Sequence, residues 1–447
     1  MSIKHQHANW SSRLAFVLAA VGSTVGLGNI WKFPYMVGES GGAAFVLVYL
    51  LCIAFIGLPI LVAEWLIGRR GQNNPANAMT DLATAAGKPK AWMLVGFSGI
   101  LGAFLILSFY SVIGGWSLYY TLSSVTGAFS GQDADGIGEL FNGMLGNPGL
   151  LLLGHSVFML LVIGIVARGV TKGLESAVRT LMPALGVLLL VLVGYGMTTG
   201  HFGEAVSFLF NPDWSVLSGG TVLAALGHAF FTLSLGMGIM MAYGSYLGED
   251  INLLKTARTV VIMDTVIALG AGLAIFPIVF ANGLDLDSGP KLIFVTLPLA
   301  FGQMGAGIVI GLMFFLLLTF AALTSAISLL EPVVEFVEER TPLSRISSTV
   351  VSGIGAWALG IAALLSFNIW SDPVLFGLGV FDLLDKLTSK FMLPLTGLFA
   401  VIFVAWVLDR EGVRQELGLG DTGAKVWTLV SRFIAPLGVI VVFISSL

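Results

Sequence analysis

The chain is poor in charge, cysteine and histidine. Only 10% of its 447 residues are Asp, Glu, Lys or Arg, whereas 57% are hydrophobic and the mean hydropathy is +0.96. That scarcity leaves too little polar surface for a soluble protein of this length and predicts an integral membrane protein whose partner is a lipid bilayer. The single cysteine, Cys52, excludes an internal disulfide. Of the five histidines, His5, His7 and His201 fall near an end or in a loop, so a buried hydroxyl such as Ser234 has no evident base and an intramembrane hydrolase is disfavoured. No enzymatic activity is expected. No strand precedes Gly26-Leu27-Gly28 and no βαβ unit follows, which excludes a dinucleotide fingerprint there. The net charge of −4 says little about partners, and no nucleic-acid partner is expected.

Long apolar runs are what the chain has instead. Cut at polar and Pro/Gly clusters, they predict an all-α protein of eleven membrane helices near 12–35, 42–69, 91–125, 150–167, 174–197, 219–246, 257–282, 305–337, 349–366, 374–407 and 426–446. Met1 to Asn9 is polar, and the first apolar segment is too long and glycine-rich for a cleavable signal, so no removal is expected. With the amino terminus in the cytoplasm, basic residues from Arg13 and Arg69 through Arg168, Arg258, Arg345 and Arg414 fall inside, and Lys291 alone falls in an outside loop. A missed helix would invert every later loop. The alternation therefore predicts a multi-pass protein of the cell inner (plasma) membrane with the carboxyl terminus external.

Two of these segments should not be regular helices. Gly22 to Pro34 places three glycines, a proline, Asn29 and Lys32 inside the first, where unpaired backbone is tolerated only if protein, water or a ligand satisfies it. Phe231-Thr232-Leu233-Ser234-Leu235-Gly236-Met237-Gly238 interrupts the sixth in the same way. The second break falls five helices after the first, which implies an inverted duplication, 12–198 and 219–407, within one domain over 1–447, with the helix at 426–446 added. The plain alternative is that these glycines only let helices pack closely. Glycine combined with hydroxyl or amide side chains in both segments favours binding.

These residues resemble the neurotransmitter:sodium symporter family, within it the bacterial amino-acid transporters. The resemblance rests on Gly26 to Tyr35 (GLGNIWKFPY), Gly41-Gly42, Pro59 with Glu64-Trp65 and Gly68-Arg69, Arg168-Gly169 with Lys172-Gly173 and Glu175, and the Phe231 to Gly238 string, all in family order. It implies sodium-coupled symport of an amino acid by alternating access.

Hard oxygen donors are what a sodium ion requires. Ala321, Thr324, Ser325 and Ser328 recur at helical spacing, although Ser and Thr also commonly bond back to their own helix. The resemblance implies one sodium site from the carbonyls of Gly22, Val25 and Ala321 with the hydroxyls of Thr324 and Ser325, and a second from Thr24, Asn29, Thr232 and Asp264. Two sodium ions are therefore expected. Asp264 stands where many members carry asparagine, and Ala268 where chloride-dependent members carry serine, so the carboxylate replaces the chloride charge and chloride is not expected as a cofactor. A protonated or otherwise paired carboxyl is the alternative for Asp264.

Gly26 argues for the substrate class. Monoamine transporters of the family carry an aspartate there, whereas glycine leaves room for a substrate that brings its own carboxylate. The resemblance then implies a site of Thr24, Gly26, Gly28, Ile106, Tyr110, Phe231, Thr232, Ser234, Met237, Ser325 and Leu329, whose apolar members favour a hydrophobic or aromatic amino acid. It also implies an outer gate of Lys32 with Asp385, Asp382 being a rival, and an inner closure of Tyr246 and Glu339, with His7 where relatives have an arginine. Lysine lacks arginine's planar fork, so the outer pair should be looser. Glu64 is expected to support backbone freed at the breaks, and His228 is either a pH-responsive group or a satisfied core histidine. A channel is disfavoured because the polar residues cluster at mid-depth; a non-transporting amino-acid sensor and a proton-coupled carrier are the remaining alternatives. The exact amino acid, the sodium stoichiometry, proton counter-transport and the choice between monomer and homodimer are not encoded in readable form.

Overall fold

The computed structural model describes residues 9–248, 250–284, 289 and 291–445. Among them the chain is almost wholly helical and contains no strand. The long apolar helices are α1 (Arg13–Thr24), α2 (Gly28–Glu39), α3 (Ala43–Gly71), α4 (Lys90–Val125), α5 (Pro148–Val166), α6 (Val170–Gly196), α7 (Gly219–Thr232), α8 (Ile239–Ser245), α9 (Leu253–Ala281), α10 (Gly307–Arg340), α11 (Arg345–Leu365), α12 (Val380–Val407) and α13 (Asp421–Val441). Nine of these are individually long and apolar enough to cross a membrane, and α1 with α2 forms a tenth, bent by 48°.

The sixth expected segment is two short helices rather than one span. Six residues separate α7 from α8, and three of them take positive φ: Ser234 (53°), Gly236 (75°) and Gly238 (69°). An L-residue is held in the left-handed region only where its surroundings enforce it, so Ser234 marks a built feature. At its start α7 carries a capping box in which Ser218 and Thr221 bond reciprocally. The tenth expected helix begins at Val380 instead of 374. A tight turn, with a Leu375–Leu378 bridge and Phe376 at φ 51°, occupies the preceding residues. Short connecting helices at Pro75–Ala85, Ala134–Leu145, Phe202–Phe210, Leu292–Gln303 and Arg410–Glu416 escape a reading by apolar length alone.

The broken helices sit at the centre of the bundle. Close approaches by glycine position them: a Cβ on Gly68 or Gly99 would run into the backbone of Met241 or Gly238. The α10 helix packs along α4 and touches α1, while α8 lies against α3. Large apolar side chains at Leu153, Leu160, Val187 and Leu190 face outward from α5 and α6. In a bilayer such a surface needs no protein partner, because lipid is as apolar as the side chains.

Candidate functional site

Val25 leaves the helical region at φ −81°, ψ 97°, so the carbonyls that close α1 lose their intrahelical partners. They converge on α10. Ser325 Oγ lies 3.5, 3.1 and 3.4 Å from the carbonyl oxygens of Gly22, Ser23 and Val25. One residue earlier, Thr324 Oγ1 donates to the Ala321 carbonyl at 3.1 Å. Of the five residues expected for one sodium site, Gly22, Val25 and Ser325 are in contact, while the Thr324 hydroxyl bonds back to the Phe320 and Ala321 carbonyls of its own helix; all of their oxygens are of the hard type a sodium ion takes. Ser23, which the sequence reading omitted, belongs with them: its carbonyl also accepts from Ser234 Oγ at 2.9 Å and so bridges the two breaks. A hydroxyl residue within the break itself was the signal for it.

Asn29, Thr232 and Asp264 meet on the other side of α1 and α2. The Asn29 amide donates to Asp264 Oδ1 at 2.8 Å and to the Asp264 carbonyl at 3.2 Å, while its Oδ1 accepts the Gly26 N–H at 3.2 Å. The Thr232 hydroxyl lies 3.2 Å from both carboxylate oxygens, Thr24 faces the same carboxyl, and Tyr49 donates to Oδ2 at 3.4 Å. Asp264 is fully buried and forms no ion pair among the described residues. Tyr49 was not anticipated, since nothing sets it apart from the other aromatics of α3. Among the described residues no cluster of three or more His, Cys, Asp or Glu could hold a transition metal.

Beside the Ser325 group lies a cavity of ≈ 20 Å³, room for about one or two water molecules. Thr24, Gly26, Gly28, Ile106, Tyr110, Phe231, Ser234, Met237, Ser325 and Leu329 all line it; of the expected substrate residues only Thr232 does not, being turned toward Asp264. Ile239 also lines it. The Tyr110 hydroxyl accepts the Leu27 N–H at 3.3 Å, tying α4 to the break. A Cβ on Gly26 would collide with Ser325 Oγ and come within 2.9 Å of the Tyr110 hydroxyl, so glycine is required here for space rather than for backbone freedom. Glu64, buried in α3, accepts the Gly236 N–H at 2.7 Å and satisfies a donor freed by the second break.

Phe231 and Tyr110 separate this cavity from a wider one of ≈ 210 Å³, which also contacts Lys32, Asp382 and Asp385. Lys32 forms no ion pair with either acid among the described residues; its Nζ stands 4.6 Å from the centre of the Phe231 ring. The expected Lys32 and Asp385 gate residues therefore share a cavity without touching. Lysine ends in a point charge that gains from an aromatic face without needing a planar partner.

At the face where α1 begins, the chain is sealed. The Trp10 indole donates to the Tyr243 carbonyl at 3.1 Å, and its backbone N–H to the Tyr246 carbonyl at 3.3 Å. Its ring stands edge-on to both tyrosines. Of the two residues expected for the inner closure, the Tyr246 hydroxyl donates to Glu331 Oε1 at 2.8 Å, and Glu339 bonds Asn74 and Asn77. Glu339 lies eight residues beyond Glu331, about 12 Å along α10, so one hydroxyl does not serve both. Glu331, fully buried, is paired with Arg345. His7 lies outside the described residues. His228 packs among Phe33, Phe45 and Tyr49, with neither ring nitrogen hydrogen-bonded.

The profile of the sodium:neurotransmitter symporter family matches residues 7–136 and 139–447. An uncharacterized sodium-dependent transporter of Bacillus subtilis, YhdH, is 39% identical over 98% of this chain and 97% of its own length. One from Haemophilus influenzae is 36% identical over 99% and 98%. Among solved structures, MhsT in complex with L-phenylalanine superposes with a TM-score of 0.91 at 45% identity, covering 98% of this chain and all of the other.

Proposed function

The chain belongs to the sodium:neurotransmitter symporter family and is a sodium-dependent membrane transporter rather than an enzyme, and we propose that its cargo is a hydrophobic or aromatic amino acid carried in symport with two sodium ions. The observation that carries this reading is the convergence of the α1 carbonyls on Ser325 beside a small cavity, one of whose lining residues, Thr24, also faces the Asn29, Thr232 and Asp264 cluster. Gly22, Val25, Ala321, Thr324 and Ser325 hold one ion; Thr24, Asn29, Thr232 and Asp264 hold the other. The substrate carboxylate sits in the cavity beside Gly26, facing the Tyr110 hydroxyl, and its side chain meets Ile106, Phe231, Met237, Ile239 and Leu329. MhsT, whose structure contains L-phenylalanine, supports an aromatic substrate by likeness.

Transport proceeds by alternating access. A sealed Trp10 face and a wide cavity beyond Phe231 describe a chain closed to one side, with the opposite side nearer to opening. On this reading the sealed face is cytoplasmic, the carboxyl terminus is external, and the protein resides in the cell inner (plasma) membrane. The α7 and α8 pair counts as one broken span, which completes eleven, with inverted repeats at about 12–198 and 219–407 and an added helix at about 426–446. Chloride is not required, because Asp264 supplies its charge beside the ion and Ala268 offers no hydroxyl to a halide. The protein works as a monomer or a homodimer.

A sodium-dependent binding screen of the purified protein against the standard amino acids tests the substrate class. Tight binding of leucine-like or aromatic residues only in sodium is expected. Binding that is unchanged when choline replaces sodium at fixed pH would favour a proton-coupled carrier.

A further inference from the structure

A second concentration of charge lies beyond Ser325, about 15 Å along α10 toward the sealed face. Glu331, Glu335, Glu338 and Glu339 fall within little more than two turns. The groups facing them from other elements are Ser245 and Tyr246 at the end of α8, Arg345 of α11, and Asn74 and Asn77 beside the helix Pro75–Ala85. Most of these are already engaged. Arg345 pairs with Glu331 and stands 3.6 Å from Glu338, Tyr246 donates to Glu331, and the two asparagines hold Glu339. The remaining arginine, Arg340, donates to Asn77 at 2.6 Å and covers the Phe336 ring.

Among the described residues Glu335 is left with a single donor. The Ser245 hydroxyl reaches its Oε1 at 3.0 Å, Oε2 is buried without a partner, and the residue is 3% exposed. The Arg345 Nε–H is likewise unpartnered, yet no ion pair joins it to Glu335. A carboxylate without a counter-charge in a water-excluded interior is far costlier than the neutral acid, and flanking carboxylates add repulsion. A carboxylic acid, by contrast, fits the site: one oxygen accepts from Ser245 and the other carries the proton.

We propose that Glu335 is a proton-binding site, holding a proton while Trp10, Tyr243 and Tyr246 seal this face and releasing it to the water that enters when the seal parts. On release the Glu335 O–H bond breaks, the proton passes to water and a hydrated carboxylate remains; on closure the same carboxylate takes a proton back from the same side. Only the identity of that side as cytoplasm rests on the alternating-access reading; the bound proton does not. Because the sealed form binds one proton more than the open form, lower pH favours the seal. The opening equilibrium then rises by up to about tenfold per pH unit.

The test uses the full-length protein in lipid nanodiscs. Infrared difference spectra at neutral pH are expected to contain a protonated-carboxyl stretch that Glu335→Gln removes, while Glu335→Asp, which keeps the acid, and Ser245→Ala, which removes only the donor, retain one. Amide hydrogen exchange of residues 239–248, compared between wild type and Glu335→Gln in the same buffers, is expected to rise severalfold with pH in the wild type only. A protonated-carboxyl band that survives in Glu335→Gln unchanged, or the same pH response of exchange in both proteins, overturns the proposal. Absence of sodium-driven uptake with both expected results intact would instead count against the transport reading and leave the bound proton standing.

Discussion

Asn29 and Asp264 are joined by two hydrogen bonds from one amide group, 2.8 Å to the carboxylate and 3.2 Å to the Asp264 carbonyl. The opposite end of the same amide accepts the Gly26 N–H. A single side chain thereby ties the backbone at Gly26 to the buried carboxyl of α9, which the proposed sodium site uses as its negative charge.

Asp264→Asn removes that charge and keeps the shape. Sodium affinity is expected to fall by at least about tenfold, equivalent to about 1.4 kcal/mol, read as the sodium dependence of substrate binding. Replacing chloride with gluconate is expected to leave wild-type uptake unchanged; a severalfold drop would contradict the role given to Asp264.

Gly26→Ala tests the space for the substrate carboxylate. Its new methyl collides with Ser325 Oγ and crowds the Tyr110 hydroxyl. A misplacement on that scale is expected to weaken amino-acid binding by about 100-fold with little change in melting temperature. Unaltered affinity would remove Gly26 from the site.

Ser325→Ala and Thr324→Val each delete an oxygen from the group formed with Gly22, Val25 and Ala321. Both are expected to raise the sodium concentration needed for half-maximal binding by about fivefold to tenfold, about 1 to 1.5 kcal/mol for one lost contact to a charged group. If neither moves it, Ser325 only ties α10 to α1 and Thr324 only bonds back to its own helix.

Arg345→Ala leaves Glu331 buried without its counter-charge. Breaking such a pair costs about 3 kcal/mol or more, and the sealed face bears that cost. Hydrogen exchange in α8 is expected to accelerate in this variant, whereas the double variant Arg345→Ala with Glu331→Gln recovers part of the protection.

His228→Gln is expected to leave the pH profile of uptake unchanged. Aromatic rings enclose the imidazole and, among the described residues, neither ring nitrogen has a hydrogen-bond partner, so it packs as a core side chain. A profile that shifts in the variant would make His228 a proton-sensing group after all.

Much of the fold is legible without coordinates because the bilayer imposes length and apolarity on every span. The two breaks were readable for the converse reason: Gly26, Gly28 and Pro34 in one, and Gly236 and Gly238 in the other, stand where apolar helix is otherwise the rule. Side-chain partnerships were less readable. Tyr246 belongs with Glu331 rather than Glu339 because of a two-turn difference along α10 that no spacing in α8 reveals. The connecting helices were missed because they are short and only partly apolar, as at Ala134–Leu145, where Asp133 caps the start and Gly136 donates to it.

The most direct measurement is accumulation of a labelled aromatic amino acid by proteoliposomes that hold the purified protein and face an inward sodium gradient. Uphill uptake that collapses when choline replaces sodium at fixed pH, and persists when gluconate replaces chloride, is the predicted result. Sodium-dependent binding without accumulation would make the protein a sensor, and accumulation indifferent to sodium would contradict the two-sodium site.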